Sequence, residues 1–428
     1  MQNVKGTFDF RAGEQVLRNR IRAVLERQFA LYDFEPLETP ILNEQSLLAS
    51  KYAGGEEIMQ EMYRLSDQGG RNLGLRYDLT VPFAKVVAIH PGLEMPFKRY
   101  EIGKVFRDGP VKRGRLREFT QCDADVAGTE GPEAETELLQ LASDAFGALG
   151  IDAAVRWNNR RFLGELLAGL GVGEEAAASV MLTLDKLDKI GVDGVAAELG
   201  DKKLDPQAAA GIVRLIREEA PGFEELVERF SLGAARGVME VRQLQKLLDG
   251  TGLGPICRFD PFLSRGLSFY TGTVYELFAA DGSFRSSLAS GGRYDSIIGK
   301  LAGREDIRYP AVGISFGLDS IMELMRTARG DTAAQAVRFV PIGDTLAETL
   351  SAAALFRGAG IRARVESGSR KLKRTLAAAA AKGARFVVLI GEEEAAAGQV
   401  RLKHMRTGEE TVGPIELALH TVERSEGI

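Results

Sequence analysis

FRDGPVKRGRLREFTQCDAD, residues 106–125, joins two strand-like segments through a basic loop that contains a Gly-Pro pair. Five cationic side chains lie in and around this loop: Arg107, Lys112, Arg113, Arg115 and Arg117. Along the second segment, Gln121, Asp123 and Asp125 alternate, so we expect them to share one face of a β-sheet. Carboxylates beside several guanidinium groups suit a zwitterionic ligand together with an anion, because the arginine fork of donors matches phosphate oxygens. The stretch therefore predicts a strand pair that carries a polar binding site.

A second candidate binding segment is SRGLSFYTGTVYE, residues 264–276, which places Arg265 directly before a predicted strand. Small residues at Gly272, Gly291 and Gly292 would let a ligand approach the sheet. Each segment also has an ordinary structural interpretation when it is taken alone. The basic loop has the composition of a solvated hairpin tip, although two of its arginines lie in strand-like runs where a charge needs a partner. The aromatic residues of the second segment are typical of cross-strand packing.

The composition of the 428-residue chain is that of an ordinary globular protein, with 45% hydrophobic and 27% charged residues. This length predicts two or three domains. No apolar run approaches the roughly 20 residues of a membrane span, and the N-terminus lacks the apolar core of a secretory signal. Two cysteines are too few for a disulfide framework. We therefore expect a protein of the reducing cytoplasm with no membrane partner, and the net charge of -5 does not by itself indicate binding to nucleic acid.

Changes in the residue pattern along the sequence predict how the chain is divided into domains. Strand-like and helical segments are mixed in residues 1–160 and 254–328, which we assign to one core. Residues 161–253 have helical patterns rich in Ala, Leu and Glu and are predicted to form a helical insertion. Residues 329–336 are predicted to be a short linker. In residues 337–428 strands and helices alternate, which predicts a compact α/β domain with a largely parallel sheet.

AVGISFGLDSIMELM, residues 311–325, contains the pattern G-x-S-x-G with Ser315 at its centre. An apolar run precedes the pattern and a helical one follows it, as in the nucleophile elbow of serine hydrolases. A hydrolase needs a histidine, and the two histidines downstream, His404 and His420, lie in segments without other features of a site. A strand of small residues is therefore the favoured interpretation. A metal site is not expected, because the chain contains no H-E-x-x-H and no C-x-x-C pattern.

Taken together, these segments resemble the histidyl-tRNA synthetases, which have the class II aminoacyl-tRNA synthetase fold. The motifs that carry the resemblance span essentially the whole chain: FEPLETP (34–40), LGLRYDLTVPFAK (73–85), FRDGPVKRGRLREFTQCDADVAG (106–128), TLDKLDKIG (183–191), RGLSFYTGTVYE (265–276), SGGRYD (290–295) and AVGISFGLDSI (311–321). The resemblance implies an α+β catalytic domain built on an antiparallel sheet, a helical insertion, and a C-terminal α/β anticodon-binding-like domain. It also implies a homodimer, with FEPLETP at the dimer interface.

The resemblance implies that the protein joins L-histidine to tRNA(His), with ATP and Mg²⁺ as substrate and no prosthetic group. ATP and histidine would form histidyl-adenylate, and histidine would then pass to the 3' end of the tRNA. In this scheme Arg107 contacts the α-phosphate, Arg115 contacts the outer phosphates, and Phe119 stacks on adenine. Arg265 contacts histidine and stabilises charge at the reacting centre, so Arg107 and Arg265 are the expected catalytic residues.

For the amino acid, the resemblance implies that Asp78 and Gln121 bind the α-amino group, with Thr80 nearby. Asp125 and Tyr270 would hold the two imidazole nitrogens. A carboxylate and a phenol together can form hydrogen bonds with both ring nitrogens of histidine. An apolar amino acid cannot form these bonds, so the pair would favour histidine.

The C-terminal segment carries a basic patch that does not depend on the resemblance. Between residues 355 and 385 there are nine Lys or Arg residues and one Glu. Arg370, Lys371, Lys373 and Arg374 lie at the start of a predicted helix, which indicates a surface for RNA phosphates. The alternative interpretation is a solvated basic face of a helix.

The sequence departs from the resemblance at the third motif, where an arginine that clamps the ATP γ-phosphate is expected after the acidic residue. Here Asp319 is followed by Ser320, and the nearest basic residue downstream is Arg326. One alternative is therefore a paralogue that binds histidine without charging tRNA, such as the regulatory subunit of ATP phosphoribosyltransferase. That type of subunit generally lacks the anticodon-binding domain, whereas this chain has a segment that resembles one.

Overall fold

The computed structural model describes the chain except for residues 12, 51–58, 112–114, 203, 219–220, 266–268, 305–306, 329–336, 367–370 and 427–428. The chain forms two compact units, Met1–Gly330 and Asp331–Ile428. The predicted linker, residues 329–336, lies outside the described residues. Each unit has its own sheet and its own buried apolar core, so each is described by itself.

The first unit is built on an eight-stranded sheet and a smaller three-stranded sheet. In chain order the strands are β1 (Glu35–Pro36), β2 (Leu42–Glu44), β3 (Arg64–Ser66), β4 (Asn72–Leu75), β5 (Phe97–Phe106), β6 (Glu118–Ala127), β7 (Ala153–Asn159), β8 (Cys257–Phe259), β9 (Thr273–Ala279), β10 (Ala289–Arg293) and β11 (Ala311–Gly317). The large sheet has the order β1-β5-β6-β11-β10-β9-β7-β8. Its inner pairs are antiparallel and its two outermost pairs are parallel. The predicted α+β core on an antiparallel sheet is confirmed.

The helices of the first unit pack on this sheet and fill the segment between β7 and β8. Among the described residues they are α1 (Gly13–Leu31), α2 (Gln45–Ser50), α3 (Thr80–Ile89), α4 (Glu133–Leu149), α5 (Arg160–Gly169), α6 (Glu174–Leu184), α7 (Leu187–Gly200), α8 (Pro206–Arg217), α9 (Phe223–Arg229), α10 (Arg236–Gly250), α11 (Ile297–Leu301) and α12 (Leu318–Ala328). In the described part of the chain, no single helix is long and apolar enough to cross a membrane, although α5 and α6, bent by 116°, meet the length and composition requirements as a pair.

One face of the large sheet is apolar, because alternate residues of its strands point toward α1 and α4. On β6 these residues include Cys122 and Ala124, which are fully buried. On α1, Ile21, Leu25 and Phe29 recur at the spacing of one helix face and are also fully buried. The opposite face of β6 is therefore left for its alternating polar side chains.

The second unit contains a five-stranded sheet with helices. Its elements in chain order are β12 (Val337–Pro341), α13 (Leu346–Gly358), β13 (Ala363–Val365), α14 (Leu372–Ala381), β14 (Phe386–Ile390), α15 (Glu392–Ala396), β15 (Gln399–His404), β16 (Glu410–Pro414) and α16 (Ile415–Glu426). The strand order is β13-β12-β14-β15-β16, and β12 pairs in parallel with β13 and β14, as the alternating pattern predicts. The sheet is nevertheless mixed, not largely parallel, because a short turn joins β15 to β16 and makes them antiparallel, and β15 also pairs antiparallel with β14.

Candidate active site

The polar face of the large sheet is centred on strands β6 and β11. Three polar residues of β6 pair with three small residues of β11: Gln121 with Gly317, Asp123 with Ser315, and Asp125 with Gly313. This register puts the three β6 side chains on one face, as their alternation predicts. A Cβ atom on Gly313 would lie only 1.9 Å from Asp125 Oδ1. Gly313 therefore provides the space that the Asp125 carboxylate occupies.

Three other glycines of the predicted site accommodate protein atoms and not a ligand. A Cβ atom on Gly291 would lie 2.0 Å from the Gly313 carbonyl oxygen, and one on Gly292 would lie 3.0 Å from the Tyr270 ring. A Cβ atom on Gly272 would lie 3.2 Å from the Arg293 side chain. The expectation that these glycines open the sheet to a ligand is therefore wrong, because neighbouring strands and side chains already fill the space.

One end of the polar face, the carboxylate end, consists of Arg99, Asp123, Asp125 and Tyr294. Asp125 is 3% exposed, and its Oδ2 forms an ion pair of 2.8 Å with Arg99 Nη2. The Tyr294 hydroxyl donates to Asp125 Oδ1. Arg99 is itself fully buried and donates to the Leu79 carbonyl at 3.0 Å. Asp125, the predicted imidazole ligand, is therefore held in place before any ligand arrives.

Beside Asp125, Asp123 and Gln121 lie close to Ser315. Gln121 Nε2 donates to Ser315 Oγ at 2.7 Å and lies 3.5 Å from Asp123 Oδ1. The Gln121 Oε1 atom is buried and has no hydrogen-bond partner among the described residues. Burial, followed by the charge of Asp125, raises the pKa of Asp123 to about 8, against the opposing effects of Arg99 and Ser315. The surroundings of Asp123 therefore disfavour its charged form.

The start of α3 borders the carboxylate end. Asp78 Oδ1 accepts a hydrogen bond of 3.1 Å from the Val81 backbone N–H, and Thr80 is the first residue of the helix. The Asp78 charge raises the pKa values of both Asp123 and Tyr270, so its carboxylate lies near both groups. The start of α3 thus carries two predicted amino-acid ligands, and Asp78 lies near β6, the strand of Gln121 and Asp125.

Arg265 pairs with Glu276, whose strand register places it on the polar face. Tyr270 lies beside this pair: burial raises the pKa of its phenol, and Arg265 opposes that shift. Asp185, in the turn between α6 and α7, also acts electrostatically on Arg265. The helical segment therefore contributes a carboxylate near the predicted catalytic arginine.

The other end of the polar face, the arginine end, consists of Glu61, Tyr77, Arg107, Arg115 and Phe119. The Arg107 guanidinium lies 4.2 Å from the Tyr77 ring centroid and 5.0 Å from that of Phe119. Arg115 forms an ion pair of 2.5 Å with Glu61, which also accepts a hydrogen bond of 3.0 Å from the Tyr77 hydroxyl. The three predicted ATP ligands therefore lie together, and each of the two arginines already has a protein partner.

Asp319 and Arg326, the charged residues on either side of Ser320, contact α1 on the helix side of the sheet. Asp319 accepts from the Thr120 backbone N–H at 2.9 Å and pairs with Arg18 of α1. Arg326, the nearest basic residue after Ser320, pairs with a glutamate of α1 at 3.2 Å. Both cations are thus engaged in joining α12 to α1. In these described contacts, neither replaces the phosphate-clamping arginine expected at Ser320.

The contacts of Ser315 differ from those of a hydrolase nucleophile. Its hydroxyl accepts from Gln121, its strand partner on β6 is Asp123, and no described residue brings an imidazole to it. His90, the one histidine of the first unit, is exposed after α3, with Nδ1 at 2.8 Å from the Val86 carbonyl. Among the described residues there is also no group of three or more His, Cys, Asp or Glu side chains that could hold a metal ion.

The basic patch of the second unit lies at the start of α14. Lys373 and Arg374 are exposed in its first turn, and Lys371 is the exposed residue that precedes it. Arg370 lies outside the described residues. The described cations thus combine their charge with the positive end of the helix dipole.

Several residues of the site were not predicted from sequence, namely Glu61, Arg99, Glu276 and Tyr294. The alternation of Arg99 and Glu101 along FKRYEIG was an available signal, since a strand with alternating charges needs partners on its neighbours. The β5–β6 register places Arg99 opposite Asp125 and Glu101 opposite Asp123. Glu61 had no such signal, because it lies between strands β2 and β3 of the small sheet and far from Arg115 in sequence.

Comparison with known proteins identifies the family of both units. The family described as "Histidyl-tRNA synthetase" matches residues 6–321, and the one described as "Anticodon binding domain" matches residues 336–425. The chain is 44% identical over 419 residues to histidine--tRNA ligase 1 of Bacillus cereus, covering 97% of this chain and 95% of that one. It is 36% identical over 433 residues to the histidine--tRNA ligase of Aeropyrum pernix, covering 98% and 97%.

Solved structures agree with these matches. A histidyl-tRNA synthetase from a Nostoc species superposes with a TM-score of 0.78 at 27% identity, covering 98% of this chain and 99% of that one. A Bacillus halodurans protein described as an ATP phosphoribosyltransferase regulatory subunit/histidyl-tRNA synthetase gives a TM-score of 0.75 at 20% identity, covering 88% and 96%. The second likeness shows a shared fold alone.

Proposed function

This chain belongs to the histidyl-tRNA synthetase family and has histidine–tRNA ligase activity, and we propose that the polar face of its large sheet is where ATP and L-histidine react. The reaction joins the histidine carboxylate to the α-phosphate with loss of pyrophosphate, and histidine then passes from the adenylate to the 3' end of tRNA(His). One observation carries the proposal: cations suited to phosphates and a carboxylate share this face with carboxylates and an amide suited to an ammonium group and an imidazole.

The arginine end is proposed to bind ATP. Phe119 offers a ring face for adenine, and that face is now covered by Arg107 at 5.0 Å. Stacking of adenine would move the Arg107 guanidinium toward the α-phosphate, where its charge stabilises the transition state. Arg115 would exchange Glu61 for the outer phosphates, since its side chain is 49% exposed and its ion pair is weakly held.

The carboxylate end is proposed to bind histidine. Asp78 and Gln121 would take the α-ammonium group beside Thr80, while Asp125 and Tyr270 would contact the imidazole nitrogens. Arg265 would neutralise the histidine carboxylate as it approaches the α-phosphate, which is the electrostatic role expected of a catalytic arginine. The pair with Glu276 would hold the Arg265 side chain until the substrate arrives.

The test of this proposal is histidine-dependent exchange of pyrophosphate into ATP, followed by charging of tRNA(His). We expect both activities in the wild-type protein. Intact histidine binding without exchange would instead favour the paralogue that binds histidine but does not charge tRNA. It would also indicate that Ser320, in place of the expected arginine, is the cause of the missing activity. Labelling of Ser315 by a fluorophosphonate would support the serine-hydrolase hypothesis.

Mg²⁺ is proposed to enter as part of the substrate MgATP. Magnesium usually keeps several waters and binds through substrate phosphates with only one or two carboxylates from the protein. This mode of binding does not need a preformed cluster of protein ligands. Omission of Mg²⁺ from the exchange assay is expected to abolish the reaction while histidine binding persists.

A homodimer in the cytoplasm is the proposed form of the protein. The dimer surface would include β1, which is an outermost strand of the large sheet, together with neighbouring apolar side chains that lie exposed. These are Leu31 at 68%, Ile41 at 42% and Leu42 at 49% exposure. Light scattering coupled to size-exclusion chromatography is expected to give twice the mass of one chain, and a monomer that charges tRNA would contradict this proposal.

The start of α14 is proposed to contact tRNA phosphates through Lys371, Lys373 and Arg374, together with Arg370. Replacing Lys373 and Arg374 by Ala is expected to raise KM for tRNA without changing pyrophosphate exchange. The slope of log affinity against log salt should fall by about one for each phosphate that the variant no longer binds. Lys382→Ala, which removes an exposed cation just after the same helix, is the matched control.

A further inference from the structure

The hydroxyl of Ser315 contacts the side-chain amide of Gln121 on the polar face. Gln121 Nε2 donates to Ser315 Oγ at 2.7 Å. Asp123, the residue directly opposite Ser315 on β6, lies beside the same amide, with its Oδ1 3.5 Å from Gln121 Nε2. The Gln121 NH₂ group therefore faces both Ser315 and Asp123 across two neighbouring strands.

Asp123 and Ser315 both present acceptor atoms to this amide. A hydroxyl can accept through two lone pairs, and Asp123 has an acceptor oxygen in either protonation state. The NH₂ group of Gln121, and not its Oε1, is therefore favoured on the side that faces them. The observed distances agree with this orientation, since Gln121 Nε2 lies 3.5 Å from Asp123 Oδ1.

The amide of Gln121 is thereby oriented. Its NH₂ group faces Ser315 and Asp123, so the planar geometry of the amide turns Oε1 away from both. Oε1 is buried and has no partner among the described residues, and a buried acceptor left unpaired is destabilising. A ligand that brings an N–H donor to this atom removes that cost.

We propose that Ser315 is a positioning residue that holds the Gln121 amide so that Oε1 accepts a hydrogen bond from the α-ammonium group of histidine. This inference rests on the proposed function, which assigns Gln121 to that group. If the amide were turned over, its NH₂ group would face the ammonium, and two donors would oppose each other. Ser315 therefore acts on amino-acid binding through Gln121 and not on the reacting atoms.

The test compares three ligands in the full-length protein: L-histidine, L-histidinol, which keeps the amino group, and imidazolepropionate, which lacks it. Ser315→Ala is expected to weaken binding of the first two ligands by about three- to tenfold, the range for removal of one hydrogen bond. Binding of imidazolepropionate should change less than twofold. KM for histidine should rise in the exchange assay while KM for ATP stays unchanged.

Two variants control for general effects on the sheet. Ser315→Thr keeps the hydroxyl and should recover most of the discrimination between histidine and imidazolepropionate. Ser290→Ala removes a hydroxyl from the neighbouring strand, at the position paired with Ser315, and should leave the discrimination as in the wild type. Because each variant is judged by the ratio between ligands, a uniform loss of folded protein cancels.

Equal weakening of all three ligands in Ser315→Ala would overturn the inference, as would no weakening of any. In both cases wild-type binding and exchange would show that the proposed function still holds. A wild-type protein that neither binds histidine nor exchanges pyrophosphate would overturn the proposed function itself, and the inference with it.

Discussion

The two ends of the polar face hold their charged side chains on the sheet in opposite ways. At the carboxylate end, Arg99 is fully buried and Asp125 is 3% exposed, and their partners are other protein groups. At the arginine end, the Arg115 side chain is 49% exposed and pairs with Glu61. The first arrangement is rigid before a substrate binds, while the second has to be exchanged for substrate contacts.

This difference follows from the energetics of ion pairs. Breaking a buried pair leaves a charge without solvent and costs several kcal/mol, whereas an exposed pair contributes about 1 kcal/mol or less. A site for a small amino acid gains specificity from fixed groups, because a wrong ligand then leaves buried polar atoms unpaired. A site for a flexible triphosphate needs cations that can leave their resting partners at little cost.

The largest expected effect comes from breaking the carboxylate end. Arg99→Leu leaves Asp125 buried beside Asp123 without its cation, and should lower the free energy of unfolding by about 3–5 kcal/mol. Denaturant titration followed by circular dichroism measures this change. The companion variant Arg115→Ala should lose less than about 1 kcal/mol. Equal losses of unfolding free energy in the two variants would contradict the proposed difference between the two ends.

The next effect tests the group proposed to act at the reacting centre. Arg265→Ala should slow histidine-dependent pyrophosphate exchange by about 100- to 1,000-fold, the range for loss of one group that stabilises transition-state charge. The melting temperature is measured alongside to establish that the variant is folded. An unchanged exchange rate in folded protein would refute the catalytic role of Arg265.

A smaller effect is expected at the arginine end. Arg115→Ala should raise KM for ATP by about tenfold, because one charge-assisted hydrogen bond to phosphate is removed at a solvated position. KM for histidine should not change. Lys104→Ala is the matched control, since it removes an exposed cation of β5 that pairs with Glu118. If both variants raise KM for ATP alike, the effect belongs to net charge and not to Arg115.

The smallest expected effect adds a cation where the third motif lacks one. Ser320→Arg should lower KM for ATP by about two- to fivefold, because a screened contact with the γ-phosphate contributes up to about 1 kcal/mol. Exchange kinetics at varied ATP measure the change. Unaltered or weaker ATP binding would indicate that the arginine end already supplies the charge that the outer phosphates need.

Some features of the fold and of the candidate site follow from short-range sequence patterns. The common face of Gln121, Asp123 and Asp125 could be predicted because side chains of a strand alternate with a period of two. The grouping of Arg107 and Phe119 was instead implied by the family resemblance. By contrast, the pairing of Arg115 with Glu61 joins residues 54 positions apart, and nothing in either local segment indicates it. The largely parallel second sheet was mispredicted because the direction of β15 depends on which strand it pairs with.

The sequence by itself determined the order of motifs, the family that they indicate, and the residues of each strand that share a face. Only the tertiary structure decided that Arg99 and Tyr294 hold Asp125 and that Ser315, 194 residues from Gln121, receives its amide N–H. The physical reason is that alternation is a local property of extended backbone, whereas strand neighbours and register depend on long-range packing. The serine of G-x-S-x-G thus matches the pattern of a nucleophile and, in the chain, was interpreted as a small strand residue, whereas in the sheet it orients a glutamine.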